Sequence, residues 1–483
     1  MSKIPDYAYS KSLLHRLNSL VESRPDLREC FSRGEINYWY VFQQRIFNDI
    51  KVFVVSENKF EKKDSNIFLS IKELVVGFML LSISIFSLVL SIILRKEVLV
   101  FSVDTISDSK LRIDKRLKPL FEALSLENKN YITFYHTITN FGAIQRAFRR
   151  GNGAVFMESF DYVYNLCGFL LPKQPEFNVE ETFGNKSEIQ FAKYLIRKYS
   201  QLIILSNLKT KFLTIYLRFS AIKKAFMIDD VRNYHEIVLA CRANNIRTIA
   251  IQHGHYGPFH IGFLKQNLSG GTVKPDTLIV WSEFWQKELL RLNSIFDKSD
   301  MVIGGGMEDY QKIDLENDND VNYFLVPFEK DLDKDIVLRV MRGVSQVEGW
   351  KVLFKLRDGV SDNIQFDAYN FTKEDREKII GIKDTAKAFG MARIVAGVYS
   401  TLLYDALASG KQVVVIKTPS PYRPEGLLYY NLADEIDPDK NIREQLNSLI
   451  SVSKEERKRR SEELTAGSEN IRLVDTIRGF ISK

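Results

Sequence analysis

Cysteine is nearly absent: Cys30, Cys167 and Cys241 are the only three in 483 residues, an odd number with no close pair. That excludes a disulfide framework and a cysteine-type zinc site, and it fits a reducing compartment. An excess of one charge is also missing, since 68 Lys and Arg stand against 61 Asp and Glu, a net of +7. No basic patch is interleaved with aromatics at the spacing of a nucleic-acid module, so no nucleic-acid partner is expected. The run Lys454 to Arg460 mixes signs and reads as a solvated helix face. Neither GxGxxG nor a P-loop occurs, which argues against a nicotinamide enzyme or an NTPase. No histidine pair stands at the i,i+4 spacing of a zinc helix, and no metal or cofactor is expected. Met1 to Leu27 is mixed polar, without the apolar stretch of a secretory leader.

What the chain does have is apolar bulk: 45% hydrophobic against 27% charged residues, enough for two or more domains. Leu74 to Leu94 carries no charge at all. As a helix it would reach roughly 30 Å, enough to cross a bilayer core. Arg95 and Lys96 follow, then Lys110, Arg112, Lys115, Arg116 and Lys118, which would put the C-terminal side in the cytoplasm. Three readings stay open for this helix: a membrane span, a monotopic docking helix and a buried helix of a soluble domain. The expected location is the cytoplasmic face of the inner membrane, peripheral or anchored by a single helix.

From Glu97 the pattern becomes α/β. Short apolar runs at 98–103, 131–135, 201–205, 224–228, 247–252 and 277–281 predict buried parallel strands, with helices over 111–126 and 233–244. After Met301-Val-Ile303, Gly304-Gly305-Gly306 and the polar stretch Glu316–Asp320, the pattern restarts. It predicts strands at 323–326, 351–355, 393–396 and 412–417, and helices at 331–347 and 402–409. The expected fold is α/β, with two Rossmann-like doubly wound domains and an N-terminal helical extension. The boundaries are an extension at 1–70, the hydrophobic helix at 71–95, a first domain at 96–298, a second at 299–450 and a helical tail at 451–483. Ligands of such sheets bind beyond the carboxyl ends of the strands, which selects the loops to read.

Asp229 and Asp230 end one apolar strand; a cap needs one carboxylate, leaving the other for the cleft as nucleophile or base. Four of the six histidines lie between 235 and 260, around Gln252-His253-Gly254. Imidazole titrates near neutrality and suits proton transfer from a hydroxyl, so His253 is a catalytic candidate. Gly254 would let backbone approach a ligand closely. Lys355 and Arg357, two apart at a strand end, are candidates for holding a phosphate or a sugar carboxylate. Gly397, Ser400 and Thr401 precede a helix whose first N–H groups could receive an anion. The triple glycine reads as either a phosphate-adjacent loop or an inter-domain hinge.

Ile251-Gln-His-Gly254, Pro275 to Glu283 and Gly397 to Lys411 resemble GT-B glycosyltransferases of capsule and lipopolysaccharide synthesis. The bacterial β-Kdo transferases and related capsule export-linker enzymes are the nearest groups, over about Val98 to Asp437. The resemblance implies a nucleotide-sugar donor, CMP-Kdo-like, held by the C-terminal half, and a glycan or glycolipid acceptor held by the N-terminal half. It implies that Asp230, or its neighbour Asp229, can form a sugar adduct, with Glu158 as acid/base. Where many such enzymes have His-Pro after the Lys strand, this chain has Arg357-Asp358. Rival readings are a polyol-phosphate transferase or nucleotide-sugar 2-epimerase on the same fold, or a non-catalytic partner in polysaccharide assembly or export.

Overall fold

The computed structural model describes residues 6–56, 71–103, 115–136, 153–161, 177–180, 182–229, 234–306, 321–329, 332–357, 361–419 and 424–482. Asp230, the basic residues Lys110 and Arg112, and the stretch Glu316–Asp320 lie outside them.

Two parallel sheets organise the chain. The first holds β1 (Val98–Val103), β2 (Tyr131–His136), β3 (Ala154–Phe156), β4 (Lys224–Ile228), β5 (Arg247–Ile251), β6 (Thr277–Val280) and β7 (Met301–Ile303), in the order β3-β2-β1-β4-β5-β6-β7. The second holds β8 (Asn322–Pro327), β9 (Trp350–Lys355), β10 (Ile379–Ile382), β11 (Ala392–Gly397), β12 (Gln412–Ile416) and β13 (Asp434–Ile436), ordered β10-β9-β8-β11-β12-β13. Both reverse direction of strand order beside the first-formed strand, the doubly wound pattern. Strands such as β12, Gln412-Val-Val-Val-Ile416, are buried along their whole length because helices cover both faces.

Two expectations change. Gln201–Leu205 is no strand; it lies inside the helix Lys186–Phe219, of 34 residues. Asn185 caps that helix by accepting from Glu188 N–H, and neither Gly nor Pro interrupts it before Ser220, so an apolar pentad alone could not break it. Met301–Ile303, which heads the second unit by sequence, pairs instead with β6 as the last strand of the first sheet.

The helices used below are α1 (Tyr7–Ser23), α2 (Pro25–Phe31), α3 (Tyr38–Val41), α4 (Gln43–Val55), α5 (Ile71–Ile93), α6 (Lys118–Leu126), α7 (Lys186–Phe219), α8 (His235–Arg242), α9 (Glu283–Arg291), α10 (Lys334–Ser345), α11 (Leu402–Ala408), α12 (Lys454–Thr465) and α13 (Leu473–Ser482). Helices α1–α4 belong to the same core as the first sheet, with Trp39 fully buried between Phe31 and Tyr199 of α7. The C-terminal α13 returns to the first domain: Leu473, Ile477 and Ile481 pack with Val98, Val100 and Phe226, and Arg478 pairs with Glu127 at the end of α6.

The triple glycine marks that return. A Cβ on Gly304 would lie 2.2 Å from the Ile279 side chain, and one on Gly305, at φ +83°, would lie 2.2 Å from the Ile471 carbonyl. Glycine is required here for close backbone approach. Among the described residues this is a packing contact of the tail.

Candidate functional site

Chemistry-bearing residues gather where the first sheet's strands end. His136 is the last residue of β2, Glu158 follows β3, Asp229 follows β4, and Gln252-His253 follow β5. Gln252 fixes the local geometry: its amide receives the Trp281 N–H at 2.9 Å and donates to the Gly254 carbonyl at 2.9 Å, while the Trp281 indole donates to the Gln252 carbonyl at 3.1 Å. This ties the β5 and β6 ends together and presents His253 at a set angle.

Asp229 is buried and accepts three hydrogen bonds. One Oδ1 takes the His253 backbone N–H at 3.1 Å and also meets the ring Nδ1, while Oδ2 takes the Tyr256 hydroxyl. Burial, then the Asp229 charge, holds the Tyr256 pKa far above its ordinary value, so the phenol stays a donor. The His253 side chain is 30% exposed and that of Asp229 2%. A buried carboxylate on Nδ1 fixes the imidazole with Nε2 as the basic nitrogen and stabilises the imidazolium.

The other histidines of the cluster have structural partners. His235 is buried, with Nε2 3.0 Å from the Ser206 hydroxyl and from Glu236. His260 accepts the Gly257 N–H at 3.0 Å. His255 stacks on Tyr404 of α11, centroids 5.7 Å apart, so it joins the two domains. Its pKa is lowered to about 3 by burial and then by His260 and His253, which keeps it neutral. Gly254 has nothing within 4 Å of a built Cβ, so packing does not demand glycine there.

A cavity of 260 Å³ is lined by His136, Glu158, Asp161, Lys209, Glu236 and, from the N-terminal extension, Phe42 and Arg45; Asp229 and His253 do not line it. Glu158 pairs with His136 Nδ1, a second carboxylate–imidazole pair. Lys209 pairs with Asp161, whose pKa burial raises while Lys209 pulls it down.

The second domain gives a different picture from the sequence. Of the two cations at the end of β9, Lys355 is buried, with Nζ donating to the Leu356 carbonyl at 2.8 Å, and Arg357 is exposed. Alternation fails because β9 ends at Lys355; Gln365 then clamps Arg357 by its N–H at 2.7 Å and its carbonyl at 3.0 Å. The N–H groups expected to await an anion before α11 are engaged. Buried Glu329, just past β8, accepts from Val398 at 2.9 Å, from Tyr399 at 2.7 Å and from Ser400. Ser400 Oγ accepts from Leu402 N–H at 3.2 Å, Thr401 makes no capping bond, and Gly397 leaves room for the Glu329 carboxylate, 3.4 Å from a built Cβ. The correction is therefore that an internal carboxylate already fills the site read as free.

Burial raises the Glu329 pKa from 4.5 to about 7, against the pull of the three N–H donors and of Arg357. The folded state then binds more protons than the unfolded chain between those values, so stability is lost as pH rises from about 4.5 through about 7. Glu329→Gln is expected to flatten this slope in urea midpoints taken at pH 5 and pH 8. Equal slopes in the two proteins would contradict the assignment.

Glu329, His136 and Tyr256 were not singled out by sequence. Glu329 and His136 stand at or just past a strand's carboxyl end, so reading every strand terminus would have found them; Tyr256 carries no sequence signal.

No family model matches the chain, and no curated protein matches it. Among solved structures it is similar to the glycotransferase of kitacinnamycin, at 12% identity over 80% of this chain and 98% of that one, TM-score 0.48. It is similar to UDP-GlcNAc 2-epimerase from Neisseria meningitidis bound to UDP-GlcNAc, at 12% identity over 80% and 98%, TM-score 0.44. It is also similar to the lipopolysaccharide outer core galactosyltransferase WaaB, at 11% identity over 80% and 100%, TM-score 0.44. Two parallel α/β sheets, strand-end loops of the first meeting the second, and a tail helix returning to the first domain define the architecture. It is GT-B.

Proposed function

We propose that this chain is an inverting glycosyltransferase that moves a sugar from a nucleotide-sugar donor to a hydroxyl of a bacterial surface polysaccharide or its lipid-linked precursor. The observation that carries it is the Asp229–His253 pair, a buried carboxylate behind a partly exposed imidazole in a loop that also contacts the other domain through His255 and Tyr404. His253 Nε2 takes the acceptor proton as the acceptor oxygen attacks the anomeric carbon. The bond from that carbon to the phosphate oxygen breaks, and the nucleotide leaves with the negative charge. Asp229 stabilises the imidazolium formed.

The cavity beside His136 and Glu158 offers carboxylates and cations to a polyhydroxylated acceptor, which suits sugar hydroxyls. Arg357, exposed at the end of β9 and acting electrostatically on Glu329, is the cation for the donor phosphates. The resemblance of Gln252-His253-Gly254 and of Ser400 to Leu407 to surface-polysaccharide glycosyltransferases is what favours such an acceptor, with a CMP-Kdo-like donor as one arm of the test.

Calorimetric titration with CMP-, UDP-, GDP- and CDP-linked sugars tests the donor site. One nucleotide class is expected to bind saturably, and Arg357→Ala to weaken it about tenfold, the scale of one charge-assisted hydrogen bond. No binding by any class to folded protein would sink the proposal. Turnover of the free donor to an epimer, with no acceptor present, would mark an epimerase instead.

A further inference from the structure

Helix α5 has two unlike faces. Its inner face carries Val76, Leu80, Ser84, Ser87, Leu88 and Ser91, all buried. Strand β3 is an edge strand, and edge N–H groups need partners. The helix supplies them: Ser84 Oγ accepts from Phe156 N–H at 2.9 Å, and Ser87 Oγ accepts from Ala154 N–H at 3.1 Å. Ser91 meets the Tyr216 hydroxyl of α7 at 2.7 Å, which joins the two helices at that point. The outer face is large and apolar, with Phe78, Ile85, Phe86, Val89 and Ile93 exposed.

Helix α7 carries a second exposed apolar stripe. Leu208, Phe212, Ile215 and Phe219 recur at spacings of four, three and four, so they form one helical stripe, and all are exposed. No Asp or Glu occurs from Val75 to Lys96 or from Ile189 to Phe219, while Arg95, Lys211 and Arg218 are exposed. An apolar surface whose own helical stretches carry cations and no acid matches the interface of an anionic leaflet.

We propose that the outer faces of α5 and the C-terminal half of α7 form a single monotopic docking surface for an anionic lipid membrane, with α5 lying in the interface. Crossing the bilayer would take α5 off β3 and strip two backbone N–H groups of their acceptors. None of these exposed apolar residues lines the cavity beside Glu158, so the test reads membrane binding and not turnover.

The test is flotation of the full-length protein with vesicles of phosphatidylcholine, with and without phosphatidylglycerol. The protein is expected to float with the anionic vesicles, to be released by high salt or alkaline carbonate, and to bind pure phosphatidylcholine about tenfold less. Ile215→Glu/Phe219→Glu, wholly in α7, is expected to lower the bound fraction about tenfold, as is Phe86→Glu/Val89→Glu in α5, with melting curves showing both variants folded. Carbonate-resistant binding that ignores the α7 variant would mean that α5 spans alone, and would overturn the proposal. Failure of the wild-type protein to float, including the case where it instead captures a membrane protein from detergent extract, would overturn it too.

Discussion

Asp229→Asn is expected to lower the rate constant of sugar transfer by roughly 10²- to 10⁴-fold with little change in donor affinity, the loss typical of a misdirected general base. The asparagine would present an N–H₂ to at least one of three donors that now meet a carboxylate: the His253 backbone N–H, the His253 ring and the Tyr256 hydroxyl. The ring would then hold its proton on Nε2, where the acceptor's proton must go. Tyr256→Phe separates orientation from support. It removes one hydrogen bond to Asp229 and leaves the imidazole contact, so it is expected to cost stability, about 1 kcal/mol, and little rate. Steady-state kinetics beside thermal melts checks both. If Asp229→Asn and Tyr256→Phe lose rate equally, Asp229 is a structural ligand of its loop and not the orienting partner of a base.

Trp39→Ala is expected to destabilise the first domain by about 3–5 kcal/mol, the range for truncating a buried tryptophan. Trp39 is fully buried, packs edge-on against Phe31 at 4.8 Å and Tyr199 at 6.2 Å, and donates its indole N–H to Asn18 at 2.9 Å. Asn18 in turn exchanges hydrogen bonds with Gln43 at 3.1 and 3.0 Å. The extension is therefore core, and it also brings Phe42 and Arg45 to the cavity beside Glu158. Urea unfolding followed by tryptophan fluorescence and by circular dichroism measures the loss. Trp39→Phe is expected to keep most of the packing and lose chiefly the indole hydrogen bond. A Trp39→Ala protein as stable as wild type would show that α1–α4 is a detachable appendage.

Much of this was legible in the sequence because parallel strands buried on both faces are short continuous apolar runs. Val98–Val103, Lys224–Ile228 and Gln412–Ile416 are recognisable from composition alone. The short strands Ala154–Phe156, Ile379–Ile382 and Asp434–Ile436 were not, since three or four residues carry no period. Gln201–Leu205 shows the reverse error, an apolar run that resembles a strand until the absence of a breaker on either side is weighed. Two serines of the apolar helix, Ser84 and Ser87, accept from an edge strand, a role that belongs to three dimensions.

The site divides in the same way. His253 was visible because histidines crowd one strand end, yet the ring carboxylate belongs to Asp229, and nothing in the sequence ranks it above Asp230. The anion site before α11 was inferred from the helix start, and Glu329, about 70 residues upstream, occupies it. Such a long-range contact has no local signature. Lys355 and Arg357 looked equivalent by strand period, but the strand ends between them.

The most direct measurement is product formation by the purified protein, supplied with the nucleotide sugar that binds it and a lipid-linked or oligosaccharide acceptor, followed by mass spectrometry with inversion at the anomeric carbon read by NMR. Acceptor-dependent transfer with inverted configuration, lost in His253→Ala while that variant still binds the donor, is the expected result. Transfer that proceeds undiminished in His253→Ala, or a product of retained configuration, would contradict the assignment of His253 as the base.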